Sequence, residues 1–187
     1  MAFESILVGS GTIYIAAEGT AFPLPDASPS GSWAALGDID GGVTMNVNRQ
    51  VDLHRVDDES GPVKGTISEE DLQIVANLAE ATLENMARAL HGDTTLVTTA
   101  STPSRKILDM YRGVGEVPVR ALLFRGGSPY GAFNAQFEVP RGIYTGNIGA
   151  SFVKDNKTLI PVEFTALVDQ SASPATQKFG RWVAQDA

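Results

Sequence analysis

Two groups of acidic side chains are the residues whose types and spacing could support chemistry in this chain. Glu69, Glu70 and Asp71 are consecutive, and in a strand Glu69 and Asp71 share one face while Glu70 points to the other. Such an i, i+2 pair could hold a divalent metal or act as a catalytic carboxylate pair. The second group, at 57–59, resembles half of a calcium loop but lacks the glycine and the distal glutamate of that motif. For both groups a solvated acidic surface is the simpler interpretation.

Other signatures of catalysis or cofactor binding are missing from the sequence. The chain has no cysteine, and its two histidines, His54 and His91, are too few for a histidine-based metal site, so we expect ordinary surface roles for both. It has no G-x-S-x-G elbow and no P-loop, and the G-x-G pairs at 9–11 and 113–115 indicate turns. The glycosylation-like triplet at 156–158 is expected to be a hairpin turn. We therefore predict that the protein is not an enzyme and binds no cofactor or metal.

Composition describes an acidic chain of ordinary globular character. Its 187 residues, 43% of them hydrophobic, suffice for one domain with its own core. The N-terminus lacks the basic flank of a signal peptide, and no apolar run approaches the roughly 18 residues of a membrane span, so we expect cytosolic synthesis and no membrane partner. A pI near 4.7 argues against binding nucleic acid through lysine and arginine. The charge is concentrated, because residues 33–90 hold eleven acidic and four basic side chains.

Alternating residues predict a long hairpin inside this acidic segment. Apolar and polar positions alternate from Val43 to Arg55 and again from Thr66 to Leu78, and the residues between them, 57–64, have turn chemistry. Arms of about 13 residues are roughly twice the length of a common strand. Their free edges would promote aggregation unless another subunit covers them.

The rest of the chain predicts short strands and one helix. Residues 80–90 place Leu83, Met86, Ala87 and Leu90 on one helical face, with Gly92 at the position of a C-terminal cap. Strands are predicted at 12–17, 96–100, 106–111, 117–124, 132–139, 143–153 and 159–168, with an irregular arm at 22–32 and a loose polar tail from Gln170. The predicted fold is mainly β, a β-sandwich or barrel with one flanking α-helix and a long β-hairpin.

Taken in order along the chain, these features resemble the tail tube (major tail) proteins of long-tailed, non-contractile bacteriophages. The resemblance is one of pattern and extends over most of the chain. The segments that carry it are Trp33-Ala-Ala-Leu36-Gly37, the alternating strand from Gly42, the acidic stretch with Gly61-Pro62-Val63, Leu78–Met86 with the helix end that follows, and Ile160–Leu167.

The resemblance implies a structural virion protein of a siphovirus, located in the phage tail and assembled in the host cytoplasm. Its hexameric rings would stack helically around the tape measure protein, between the tail terminator and the distal tail proteins. DNA would pass through the lumen during ejection without specific binding. We expect one tail tube domain over 1–187, with the hairpin at 33–79, the helix at 80–91 and a C-terminal arm at 170–187, and no additional immunoglobulin-like domain.

The two faces of the hairpin then receive different roles. If the apolar positions pack on the core, the polar positions line the lumen, where negative charge repels phosphate within about a Debye length of the wall. The predicted lumen-facing residues are Asn46, Asn48, Gln50, Asp52, Glu69, Asp71 and Gln73. Contacts between rings are predicted for Asp57, Asp58, Glu59, Pro62 and Lys64 in the hairpin loop and for Phe179 and Trp182 in the tail.

Three alternatives stay open from the sequence. The chain could be the tube subunit of a contractile tail or of a type VI secretion-like machine, which would share the fold. It could instead be a monomeric β-sandwich binding module, for carbohydrate as an example. A carboxylate-dependent enzyme that uses Glu69 and Asp71 is the third.

Overall fold

Strands dominate the computed structural model, which describes residues 11–147, 149 and 157–186. Every strand pair in this part of the chain is antiparallel. The elements are β1 (Thr12–Ala17), β2 (Ala34–Ala35), β3 (Ile39–Arg55), β4 (Pro62–Leu78), α1 (Leu83–His91), β5 (Val97–Ser101), β6 (Ser104–Leu108), β7 (Arg120–Gly127), β8 (Asn134–Tyr144), β9 (Ile160–Ala166), a 3₁₀ helix (Ala175–Gln177) and β10 (Arg181–Ala184).

One eight-stranded sheet forms the body. Seven of its strands follow the order β2-β1-β7-β8-β9-β4-β3, the eighth, β10, pairs with β8, and β5 and β6 form a separate hairpin. β8 pairs with β7 along one edge, while its other edge is shared by β10 and β9. The sheet curls on itself, because Met45 of β3 and Phe124 of β7 line one cleft although three strands separate their own strands. The mainly β prediction with one flanking helix and a long hairpin is confirmed.

The main core lies inside this curled sheet. β1, β4, β7, β8 and β9 all contribute to it, and its largest fully buried side chain is Phe164, whose ring packs edge-on against Tyr144 at 5.3 Å. A second, smaller cluster forms around Trp33 where the irregular arm after β1 crosses the outer side of the sheet. The Trp33 indole fixes that arm by donating to the carbonyl of Ala21 at 3.0 Å.

Helix α1 ends where the sequence predicts but begins later. Thr82 caps its N-terminus, since the Thr82 hydroxyl accepts from the Asn85 amide at 3.2 Å, so Glu80 and Ala81 lie before the helix. Gly92 ends it with φ of 74°, and its amide donates to the carbonyl of Arg88. This left-handed backbone conformation favours glycine, because glycine has no side chain that would clash with the backbone there.

Several strand boundaries differ from the prediction. β6 spans Ser104–Leu108 instead of 106–111, so Met110 and Tyr111 lie in an irregular connection. The strand predicted at 143–153 is wrong where the structure describes it: Ile143 and Tyr144 end β8, residues 145–147 and 149 are not in a strand, and the remainder falls outside the described residues. Of the turns predicted at 9–11 and 156–158, residues 9, 10 and 156 lie outside the described residues.

The tail is more ordered than the sequence suggests. Residues 175–177 form a 3₁₀ helix, and β10 pairs with β8 from Arg181↔Glu138 to Ala184↔Ala135. The prediction of a loose tail was wrong because an available strand edge gives these backbone groups hydrogen-bond partners. Among the described residues no helix is long and apolar enough to cross a membrane.

Candidate functional site: the projecting hairpin

The hairpin of β3 and β4 is the most unusual element of the fold. Each strand has 17 residues, four more than predicted, because pairing extends through Asp40↔Asn77 at the root and Arg55↔Pro62 at the tip. At about 3.3 Å per residue each arm is roughly 55 Å long. A bulge at Ser68, between the pairs Gln50↔Glu69 and Val51↔Ile67, takes up one extra residue of β4.

Register and alternation divide the hairpin into a polar face and an apolar face. Beyond the root, the polar face carries Thr44, Asn46, Asn48, Gln50, Asp52 and His54 from β3, and Lys64, Thr66, Glu69, Asp71 and Gln73 from β4. The apolar face carries Val43, Met45, Val47, Arg49, Val51 and Leu53, and Ile67, Glu70, Leu72, Ile74 and Ala76. Two contacts agree with this division: His54 Nε2 lies 2.8 Å from the Thr66 hydroxyl, and Arg49 Nε lies 2.8 Å from Glu70 Oε1.

All seven predicted lumen residues lie on the polar face. Asn46 is directly opposite Gln73, Asn48 opposite Asp71, and Gln50 opposite Glu69, while Asp52 faces Thr66. The structure therefore brings these residues together. Their position at a lumen stays a prediction, since one chain contains no lumen.

The apolar face changes from buried to exposed along the hairpin. At the root, Leu72, Ile74, Ala76 and Leu78 of β4 are buried in the main core. Farther out, Val47 and Val51 are each 50% exposed, Ile67 57% and Leu53 59%. The core therefore covers the apolar face near the root only.

The outer hairpin, defined here as residues 47–72, also has two open edges. β9 pairs with β4 only from Gln73 to Leu78, so between Pro62 and Leu72 no described strand pairs with the edge of β4 that faces away from β3. Among the strands that the structure describes, β3 is at the edge of the sheet over its whole length. Rows of backbone N–H and C=O groups on both sides of the outer hairpin are thus free to pair with another chain.

The tip of the hairpin is acidic and exposed. Asp57, Asp58, Glu59, Pro62 and Lys64, all predicted to contact another ring, are exposed. The tip has a defined turn, because the Glu59 amide donates to the carbonyl of Val56 at 3.2 Å. Pro62 and Lys64 belong to the start of β4 and not to the loop. Their role between rings stays a prediction.

The carboxylates considered for a catalytic or metal site are divided between the two faces of the hairpin. Glu69 and Asp71 share a face as predicted, whereas Glu70 is on the opposite face in an ion pair with Arg49. Within the described residues, no group of three or more histidine, aspartate or glutamate side chains could hold a metal ion. The geometry favours an acidic surface for this cluster.

The two tail aromatics make contacts within their own chain. Phe179 packs against the main core, and the ring of Trp182 lies 4.9 Å from that of Phe137 while half of its surface stays exposed. Next to Trp182, Arg181 Nε lies 2.6 Å from a carboxylate oxygen of Glu138, which is 3% exposed. This ion pair holds the tail on β8, and the predicted contacts of both aromatics with another ring stay predictions.

Sequence reasoning missed a polar cluster at the end of α1. His91, expected at the surface, is 4% exposed, and its Nε2 donates to the carbonyl of Asp109 at 3.0 Å. Asp93 accepts from the Thr95 amide and hydroxyl and pairs with Arg112 at 3.2 Å. Burial raises the pKa of Asp93, but the hydrogen bonds from Thr95 and Arg112 together lower it by more than burial raises it. The pKa of Asp93 therefore lies below its ordinary value.

A signal for part of this cluster exists in the sequence, since aspartate two residues before threonine is typical of a local side chain-to-backbone turn. The burial of His91 has no such signal, because the connection that covers it is separated from it by the whole β5–β6 hairpin.

The fold and the hairpin together define an antiparallel β protein with a long, laterally unpaired hairpin. No family model matches the chain, and no curated protein matches it. Among solved structures it is similar to one described as "Crystal structure of Hcp protein", at 14% identity and a TM-score of 0.29 over 83% of this chain and 88% of that one. A likeness this distant says nothing about function, which has to follow from the hairpin itself.

Proposed function

We propose that this protein is a structural subunit that polymerises through its hairpin into a hollow tube, the tail tube of a non-contractile phage tail. The observation that carries the proposal is the outer hairpin, which has two open edges, an exposed apolar face and an acidic polar face. We propose further that the protein acts as a structural subunit and not as an enzyme.

The open edges favour a closed ring of subunits. An edge strand of about 17 residues is a template for uncontrolled pairing unless another chain covers it. The outer hairpin offers a free β3 edge on one side and a free β4 edge on the other, so each copy can pair head to tail with the next. Head-to-tail contacts generate rings when the rotation closes, and closure leaves no free edge.

The two faces of the hairpin suggest which side of the ring wall lines the lumen. The apolar face continues the buried face of the root, so it belongs against protein. The polar face, with Asp52, Glu69 and Asp71, then faces the lumen. A negative wall repels the phosphates of passing DNA over about 10 Å at 0.1 M salt. Such a surface keeps DNA mobile and offers it no binding site.

The finer parts of this proposal are that each ring has six subunits and that the rings stack around a tape measure protein. The tail terminator and distal tail proteins would bound the two ends of the tube. They rest on the resemblance of the sequence to tail tube proteins. The same resemblance supports a location in the virion tail after assembly in the host cytoplasm.

Purified protein tests the proposal directly. Multi-angle light scattering across a concentration series, followed by negative-stain electron microscopy, is expected to reveal rings and stacked tubes with a central channel. Protein that stays monomeric at all concentrations, salts and temperatures tested would contradict the proposal and favour a monomeric binding module. A tube subunit of a contractile tail or secretion machine would also form tubes, and co-assembly with a sheath protein distinguishes it.

Labelling at a single cysteine tests the lumen assignment, because the natural chain has none. Before assembly, Asp71→Cys is expected to react both with a small maleimide and with a maleimide carried on a large protein. In assembled tubes it should react only with the small reagent. Leu24→Cys, which is exposed and lies outside the hairpin, is the matched control. Equal reaction of Asp71→Cys with the large reagent in tubes would place the polar face outside.

A further inference from the structure

The connection between β6 and β7 exposes a second set of apolar side chains, far along the chain from the hairpin. The 109–117 loop has no regular secondary structure. Within it, Met110 is 66% exposed, Tyr111 80%, and Val114 fully, while Val117 is also exposed. Large apolar side chains grouped in this way mark interaction sites more often than isolated ones do.

The loop holds these side chains outward because its base is fixed to the body. The carbonyl of Asp109 accepts from His91 Nε2 at 3.0 Å, and the Asp109 amide donates to the carbonyl of Leu96 at 3.1 Å. Three residues later, Arg112 Nη1 donates to the carbonyl of His91 at 2.9 Å and pairs with Asp93. Met110 and Tyr111 lie between these two fixed points. Binding through pre-positioned side chains loses less conformational entropy than binding through a mobile loop.

The residue types at this surface are those of protein interfaces. Tyrosine, methionine and arginine are enriched at interfaces, and tyrosine and arginine are common among the residues that dominate binding energy. Met110, Tyr111 and Arg112 are consecutive. The loop therefore suits a protein partner with an apolar surface of its own.

Charge favours the outer hairpin as that partner. The tip of the outer hairpin carries Asp57, Asp58 and Glu59, which are exposed and have no ion-pair partner among the described residues, whereas residues 104–117 carry three basic side chains and two acidic ones. Lys106 pairs with Glu84 and Arg112 with Asp93, but exposed Arg105 has no ion-pair partner in the part of the chain that the structure describes. It is available to a carboxylate of another molecule.

The requirements of a head-to-tail contact favour the same partner. A head-to-tail assembly needs two different, complementary surfaces on each subunit. The apolar face of the outer hairpin, with Val51, Leu53 and Ile67, is one such surface, because half or more of each of these side chains is exposed. The 109–117 loop is apolar, and exposed Arg105 precedes it in β6, which together complement an apolar surface with an acidic tip.

We propose that the 109–117 loop is the surface on which the outer hairpin of a second copy of this chain docks. This proposal rests on the proposed function and adds to it the receiving surface of the subunit contact. Apolar contacts join Met110 and Tyr111 to the apolar face of the hairpin, and Arg105 pairs with its acidic tip.

Disulfide trapping between copies tests the contact. Two single-cysteine variants, Leu53→Cys and Tyr111→Cys, are mixed, assembled and oxidised. A disulfide-linked dimer of the two different variants is expected in the assembled fraction. The control mixture replaces Leu53→Cys with Leu24→Cys, which is similarly exposed but outside the hairpin, and no such dimer is expected from it.

A substitution without cross-linking provides a second readout. Tyr111→Ser is expected to raise the concentration needed for assembly about tenfold or more, as for loss of a dominant interface residue. Tyr130→Ser, at a tyrosine that is 62% exposed elsewhere, should leave that concentration unchanged. Both variants should keep the monomer's circular dichroism spectrum and unfolding midpoint, because the side chains removed are exposed.

The outcomes separate the two proposals. If natural protein forms tubes, but Leu53→Cys and Tyr111→Cys do not cross-link and Tyr111→Ser assembles normally, the docking surface is refuted while the tube function stands. Cross-links only between two copies of Tyr111→Cys would indicate a symmetric contact and would also refute it. If natural protein never assembles, both proposals fail.

Discussion

The exposed apolar face of the outer hairpin supplies the most discriminating prediction. Val51 and Leu53 are half exposed in the single chain, so tube assembly can still bury about half of each side chain. Complete burial of a valine or leucine side chain contributes about 1.5–3 kcal/mol, and half of that for two side chains amounts to roughly 1.5–3 kcal/mol per subunit. Each 1.4 kcal/mol is a factor of about ten in concentration.

The double substitution Val51→Thr/Leu53→Thr is therefore expected to raise the concentration required for assembly about tenfold to a hundredfold. Threonine is β-branched and keeps the strand preference of the hairpin, while its hydroxyl is costly to bury without a partner. The measurement is the concentration of unassembled protein left after pelleting the tubes. Stability of the monomer should change by less than about 0.5 kcal/mol, because neither side chain is part of the core.

A matched control separates interface loss from general solubility. Leu24→Thr removes an apolar side chain that is 69% exposed and lies outside the hairpin, and assembly should not change. The reasoning is refuted if the double variant assembles at the same concentration as natural protein. It is also refuted if Leu24→Thr weakens assembly as much as the double variant does, since the apolar face would then have no special role.

Three further predictions concern the stability of the unassembled chain. Phe164→Ala empties a fully buried position and should lower the free energy of unfolding by about 3–5 kcal/mol in urea titrations; a loss under 1 kcal/mol would contradict the core described here. Asp93→Asn should destabilise the protein at pH 7, and the difference from natural protein should shrink below about pH 4, because a carboxylate whose pKa is lowered in the fold stabilises it only while ionised; an equal difference in urea midpoint at pH 3 and pH 7 would exclude this role. Gly92→Ala should cost about 1 kcal/mol or more, since alanine is strained at φ of 74°, and an unchanged thermal midpoint would rule out the left-handed cap.

The sequence predicts local structure well wherever one short-range signal dominates. β1 begins and ends as predicted at Thr12 and Ala17, and Gly92 caps α1 as its position suggests. Apart from Arg49, which lies on the apolar face, the alternation from Val43 to Leu53 separates polar from apolar side chains as predicted, because successive residues of a strand point to opposite faces.

The sequence is less informative where a distant segment decides the outcome. The strand predicted at 159–168 is shorter by one or two residues at each end in β9. The strand predicted at 106–111 is displaced to β6, because Asp109 and Arg112 are fixed to the end of α1. The tail becomes strand β10 only because β8 extends far enough to offer a free edge beside β9. Neither competing contact leaves a periodic signal in the segment that it affects.

By itself, the sequence determined that this protein is mainly β, that one acidic hairpin is exceptionally long, and that its two faces differ in polarity. Those properties depend on neighbours one to four residues away, which composition and periodicity record. Only the tertiary structure decided that the pairing of β9 with β4 stops at Gln73, that the apolar face is exposed beyond Leu72, and that Tyr111 is held outward beside buried His91. These depend on where strands end against one another in space, which no local pattern encodes.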